Sequence, residues 1–204
     1  MTADDQRTWA GRTMAERQED RRTRLLEAGI ALIAEGGGQA VSVRAACRES
    51  GLTSRYFYEQ FADRDEFVVA VFRAVAEECG VAVANAVAEV ADASGVAPAA
   101  VDAVVGLALD DPAKGQVLFV APLTDPALFA ARDEWFPVVA HMIADQIPAR
   151  DDDEVRALKS ASLVGALGHD FYLYVSGRLD VPREVFVAHC VDLLTTIALM
   201  RHHD

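Results

Sequence analysis

Residues 41–67, VSVRAACRESGLTSRYFYEQFADRDEF, decide how this chain folds. Val43, Ala46 and Cys47 recur at helical spacing and give the first part of the stretch one apolar side. Ser42 stands just ahead of that side, where its hydroxyl can accept from the free amides of a first helical turn. Gly51 follows, the residue that best tolerates the left-handed conformation ending a helix. Thr53 then opens a second helix as an N-cap, with Phe57 and Phe61 on one face. Its other face carries Ser54, Arg55, Tyr56, Tyr58 and Gln60, with Glu59 as the only opposing charge. A helix, a glycine-containing turn and a polar, aromatic second helix make the helix-turn-helix pattern, whose second helix enters a DNA major groove.

Outward from this unit the chain reads as helix throughout. A first long helix is expected from about residue 15 to 35, with Leu25, Leu26, Gly29, Leu32 and Ile33 as its inward stripe. Arg17, Arg21, Arg22 and Arg24 fill its beginning, as phosphate contacts or as a solvated face. Residues 36–38, three glycines, stop it. The three-helix unit then has a small core of Leu32, Ile33, Val43, Ala46, Leu52, Phe57 and Phe61. Asp63 can cap the next helix, with Glu66 as its capping-box partner. That helix is expected over residues 64–91, and Phe67, Val71, Val75 and Cys79 let it bridge two parts of the protein. Further helices are expected at 97–109, 113–121, 127–147, 153–177 and 183–202, with Pro112 suited to a helix start and Pro137 to a bend.

Composition sets bounds on function. Of 204 residues, 52% are hydrophobic, enough to build a buried core and too many for a disordered chain. No apolar run reaches bilayer-spanning length, and the first residues lack the apolar segment of a secretory signal, so a cytoplasmic protein without a membrane partner is expected. The formal net charge of −13 at first opposes DNA binding. Its distribution softens that: residues 1–66 hold 10 Arg against 12 Asp and Glu, whereas residues 67–204 hold 9 basic and 20 acidic residues. Cys47, Cys79 and Cys190 are too scattered for a disulfide framework or a zinc site. They read as small buried residues, with Cys47 the one placed where a redox signal would reach the helix-turn-helix. No catalytic Ser/His/Asp set, phosphate loop or metal-ligand spacing stands out, so neither an enzyme nor a cofactor is expected.

The run Gly51-Leu52-Thr53, then Phe57-Tyr58, Gln60-Phe61, Arg64 and Phe67 resembles the DNA-binding signature of the TetR family of transcriptional regulators. The close match covers about residues 20–70. Gln60 stands where that family often has histidine, and Arg64 where it usually has lysine. The resemblance implies an all-α protein: a three-helix helix-turn-helix domain joined by a long helix to a C-terminal ligand-binding and dimerisation domain. The corresponding boundaries are a mobile arm at 1–15, the DNA-binding domain at 16–66 and the sensor body at 67–204. It implies Arg55 and Tyr56 as base readers, Thr53 and Ser54 at the helix start, and Ser42, Tyr58, Gln60 and Arg64 on phosphates. The implied partners are a palindromic double-stranded operator, a small-molecule effector and a second copy of the chain.

The body has its own candidates for effector binding. Phe119, Trp135, Phe136, His141, His169, Asp170, Tyr172 and Tyr174 mix apolar walls with a few polar tips, as a ligand pocket does. The alternative for each is a place in the core or interface. Many walls without a dominant charge suggest a mostly apolar effector. Small residues of the penultimate helix (Ala161, Ser162, Gly165) and an apolar stripe on the last (Val187, Val191, Leu194) suit a four-helix dimer interface. The expected protein is thus a ligand-responsive regulator, most naturally a repressor. A helical carrier or adaptor that no longer reads DNA is the alternative.

Overall fold

The structure is a computed structural model that describes residues 14–147 and 152–200. The expected N-terminal arm (1–13 of it), most of the acidic loop at 148–152 and the terminal His202-His203 pair lie outside the described residues. Among those described, every regular element is helical.

Helix α1 spans Met14–Gly36 and ends where Gly37 turns to a φ of 70°. A single 3-10 turn, Gly38–Ala40, leads to α2, Val43–Ser50. Helix α3 is only Ser54–Tyr58, and α4 runs Arg64–Ala88, three residues shorter than its periodicity suggests. A short turn at Ala93–Gly95 precedes α5, Val96–Leu109. Next comes a compound segment: α6 at Pro112–Gly115, a π-helical stretch at Gln116–Val120 and a 3-10 turn at Ala121–Leu123. Helix α7, Pro126–Ala144, continues through Pro137 as one element. Helices α8, Asp153–Val175, and α9, Arg183–Leu199, are the last among the described residues.

The helix starts follow from side chains that satisfy free amides. Ser42 Oγ accepts from Ala45 N at 3.1 Å, and Asp63 accepts from Glu66 N at 2.9 Å. Glu66 answers on the amide of Ala62 at 2.7 Å, one residue beyond the capping-box pattern. Asp111 and Asp125 cap α6 and α7. Thr53 occupies the N-cap of α3, but its hydroxyl makes no capping bond.

Two cores organise the packing. The first begins in the three-helix unit with Leu25, Ile33, Ala46, Phe57 and Phe61. It continues without a break along α4 (Phe67, Val71, Val75) to Val117 and Leu128. Of the small core read from the sequence, Val43 and Leu52 are half-buried at its margin and the rest are buried. The second core, Val101, Val105, Phe171, Phe186 and Cys190, joins α5 to α8 and α9. Phe119, in the π-helical stretch, packs against both and stacks on Phe171 with centroids 4.8 Å apart. Helix α4 is the spine of the first core, and Phe119 ties that core to the second. Among the described residues no single helix is long and apolar enough to cross a membrane.

Candidate nucleic-acid interface and sensor body

The turn between α2 and α3 is fixed by its backbone. Leu52 N donates to Cys47 O at 3.0 Å and Gly51 N to Arg48 O at 3.4 Å, the paired bonds of a Schellman motif, with Gly51 at φ 66°. Arg24 of α1 donates to Ser50 O at 2.5 Å and secures the same corner. Helix α3 is then seated by Phe57, which is fully buried in a ring of aromatics: Phe61 at 5.6 Å, Phe67 at 5.2 Å and Tyr58 edge-on at 5.5 Å.

Burying Phe57 turns the polar side of α3 outward. Thr53, Ser54, Arg55 and Tyr58 are exposed, and Ser42 is exposed nearby at the head of α2. The Ser42 oxygen is used by its cap, which leaves its O–H free to donate. Arg55 is tied to Glu59 by a 3.1 Å ion pair one turn along. Tyr56 is half-buried, with the Arg21 guanidinium 4.6 Å above its ring, and Arg22 covers Phe61 at 5.0 Å. Arg21, Arg22 and Arg24 thus tie α1 to the helix-turn-helix through these contacts. Gln60 is half-buried, and its amide nitrogen has no hydrogen-bond partner among the described residues.

Arg64 is turned inward as well. Its Nε donates to Val41 O at 3.3 Å, its Nη1 to Asp65 at 2.7 Å, and its Nη2 to both Gly38 O and Asp125. Asp125 is a residue that sequence reasoning missed, since its role depends on a partner 61 positions away. Its carboxylate is wholly buried and also accepts from the amides of Ala127 at 3.0 Å and Leu128 at 3.2 Å. Burial alone would push this carboxyl up. The Arg64 guanidinium and the two α7 amides outweigh it and hold Asp125 below the usual carboxylate range.

The three thiols are not activated. Burial raises Cys47, and it lifts Cys79 and Cys190 to about 11, with Glu78 and Asp170 adding to the effect at the latter two. A thiolate is the reactive form, so all three should resist alkylation near neutral pH. Mass spectrometry after brief iodoacetamide treatment of the native protein should find them unmodified. Rapid labelling of Cys47 would instead mark it as a redox-responsive site.

The eight effector candidates do not converge on one cavity. Phe119 lies between the two cores, and Tyr174 stacks on Phe186 at 4.2 Å. Trp135 packs against the first core. Phe136 lies under Arg132 at 4.9 Å, in an open groove of about 380 Å³ that Phe129, Pro137 and Ala161 also line. His141 is exposed and 3.8 Å from Asp145. His169 and Tyr172 neighbour one another on α8, with Arg178 over the Tyr172 ring, while Asp170 meets His189 of α9 at 3.3 Å. No group of His, Cys, Asp and Glu among the described residues could hold a metal ion.

On the last two helices, Leu158, Ala161, Ser162 and Gly165 are exposed as one stripe of α8. Val187, Val191 and Leu194 of α9 instead pack on the second core. The outer face of α9 is Val185, Ala188, Asp192, Thr195 and Leu199.

A helix-turn-helix whose core passes through a long helix into a larger helical body is the architecture of a one-chain transcription regulator. Residues 25–71 match the family of bacterial regulatory proteins called the tetR family. This N-terminal segment belongs to that family, and the whole chain has the fold of its members. The fatty acid degradation regulator FadR from Bacillus halodurans superposes with a TM-score of 0.70 at 12% identity, over 90% of this chain and 97% of its own. A proposed TetR-family regulator from Syntrophomonas wolfei does so at 0.75 and 13%, over 89% and 96%. FadR from Bacillus subtilis, solved in complex with stearoyl-CoA, gives 0.67 and 15%, over 88% and 99%. No curated protein matches the chain.

Proposed function

We propose that this protein is a homodimeric transcriptional repressor that leaves a palindromic operator when a small, mostly apolar effector enters its body. The observation that carries the reading is the outward polar face of α3 on a core that runs unbroken into the sensor. In this reading residues 16–66 are the DNA-binding unit and 67–204 the effector-binding and dimerisation unit. Arg55 and Tyr56 read base edges from the start set by Thr53 and Ser54, while Ser42, Tyr58 and Gln60 contact phosphates and fix the register. The exposed stripe of α8 and the outer face of α9 pair with their copies, and two-fold symmetry then demands half-sites whole turns of DNA apart. An operator as partner places the protein in the cytoplasm.

An apolar effector is supported by the stearoyl-CoA held by the Bacillus subtilis FadR, which has this fold. A ligand shifts the balance only if it prefers the conformer that does not fit the operator. A band-shift assay on the DNA flanking the protein's own gene tests the reading. A shift at low salt that long-chain acyl compounds reverse is the expected result. Failure of the folded protein to shift that DNA would favour a carrier or adaptor.

A further inference from the structure

Arg64 stands where a phosphate-binding cation is implied, yet each of its three nitrogens already serves an acceptor within the protein. Those acceptors belong to three places: the turn before α2 (Gly38 O and Val41 O), the first turn of α4 (Asp65) and the head of α7 (Asp125). The packing around them leaves no slack. A Cβ built on Gly38 would sit 2.6 Å from an Asp125 oxygen, so the turn presses directly on the buried carboxylate. Val41, whose carbonyl Arg64 holds, precedes the Ser42 cap of α2. Helices α4 and α7 are joined again by Arg73 and Glu134 at 2.8 Å, with the same separation of 61 residues. Equal separations at both pairs mean that the two helices run side by side in one direction.

We propose that Arg64 and Asp125 are positioning residues for operator binding, locking the turn ahead of α2 and the start of α4 to the head of α7. This rests on the DNA-binding reading above. A displaced α7 head drags the carbonyls of Gly38 and Val41 with it, and so changes the pose of α2 and α3. Unlocking the pair leaves the reading unit free to adopt poses that do not fit the groove, and only the competent fraction binds. A planar guanidinium can bridge acceptors in several directions, whereas an ammonium on a flexible stem cannot hold this geometry.

The test uses the full chain, with Arg64→Lys, Arg64→Gln, Asp125→Asn and the double variant Arg64→Gln/Asp125→Asn. Fluorescence anisotropy on the DNA flanking the gene is measured across a series of salt concentrations. Asparagine keeps a capping oxygen for α7, so Asp125→Asn removes the charge and leaves the cap. Each single variant should weaken operator binding by about 5- to 150-fold, the range of typical coupling between sites. The double variant should be no worse than the weaker single, and the slope of log affinity against log salt should stay that of the wild type. A phosphate contact predicts otherwise: Arg64→Lys near wild type, Asp125→Asn neutral or tighter, and Arg64→Gln lowering the slope by about 0.9. That pattern overturns the proposal, as does any folded variant of the pair that binds as tightly as wild type. Denaturant unfolding of the same proteins shows which are folded. If Asp125→Asn is not, Arg64→Lys against Arg64→Gln decides alone: equal losses support the lock and a tight lysine variant overturns it. A wild type that binds no DNA removes the DNA-binding reading itself, a result distinct from all of these.

Discussion

Phe57→Ala should cost about 3–5 kcal/mol of folding stability, the range for removing a buried aromatic and leaving a cavity. Phe57 is fully buried and touches the rings of Tyr58, Phe61 and Phe67. Helix α3 is five residues long, far too short to persist on its own hydrogen bonds. It exists because Phe57 anchors it against α4. A typical domain is stable by only about 5–15 kcal/mol, so the loss is a large fraction of the whole. Urea unfolding followed by far-UV circular dichroism should show the midpoint fall. Because the first core continues from α1 through α4 to α7, one shared transition is expected. A separate early transition would mean that the reading unit unfolds by itself. A loss below about 1 kcal/mol would mean that the packing around the site closes over the missing ring and that Phe57 does not anchor α3.

Arg55→Ala should leave folding intact and reduce operator affinity by about 1–3 kcal/mol, with specificity relaxed at one base position. The Arg55 side chain is 84% exposed, and its ion pair with Glu59 is of the solvent-exposed kind that contributes a few tenths of a kcal/mol. Its removal therefore does little to the free protein. In a major groove the same guanidinium can face two acceptors of a guanine at once. In the free protein Glu59 keeps the side chain lying along α3, and its negative charge would disfavour a phosphate at that position. Anisotropy on the operator and on scrambled DNA separates the roles. A large loss on the operator alone supports base reading, and equal losses on both would reduce Arg55 to a backbone contact.

Parts of this molecule are legible residue by residue because they are local. Ser42, Asp63 and Gly51 act on amides or carbonyls within a few positions of themselves, so the elements they bound are readable from the chain. The apolar faces of α1 and α4 are likewise set by a 3.6-residue period, and Phe57 had to turn inward once α3 formed; Phe61, expected on the same helix, lies beyond its end and is buried by the turn that follows. The all-helical fold and the outward face of Ser54, Arg55 and Tyr58 follow from such features.

What only the tertiary structure decided is where long side chains end. Arg64 is as able to reach a phosphate as a carboxylate, and the choice depends on Asp125 arriving from 61 residues away. Arg21 and Arg24 look like a solvated or DNA-facing stripe until the folded unit offers them Tyr56 and the Ser50 carbonyl. The aromatic residues of the body carry no periodicity that says which share a wall, and folding disperses Phe119, Trp135, His141 and Tyr174 among two cores and the surface. Spacing along a helix determines which face a residue occupies. The partner that face meets is set by packing between segments far apart in the chain, and no local pattern encodes it.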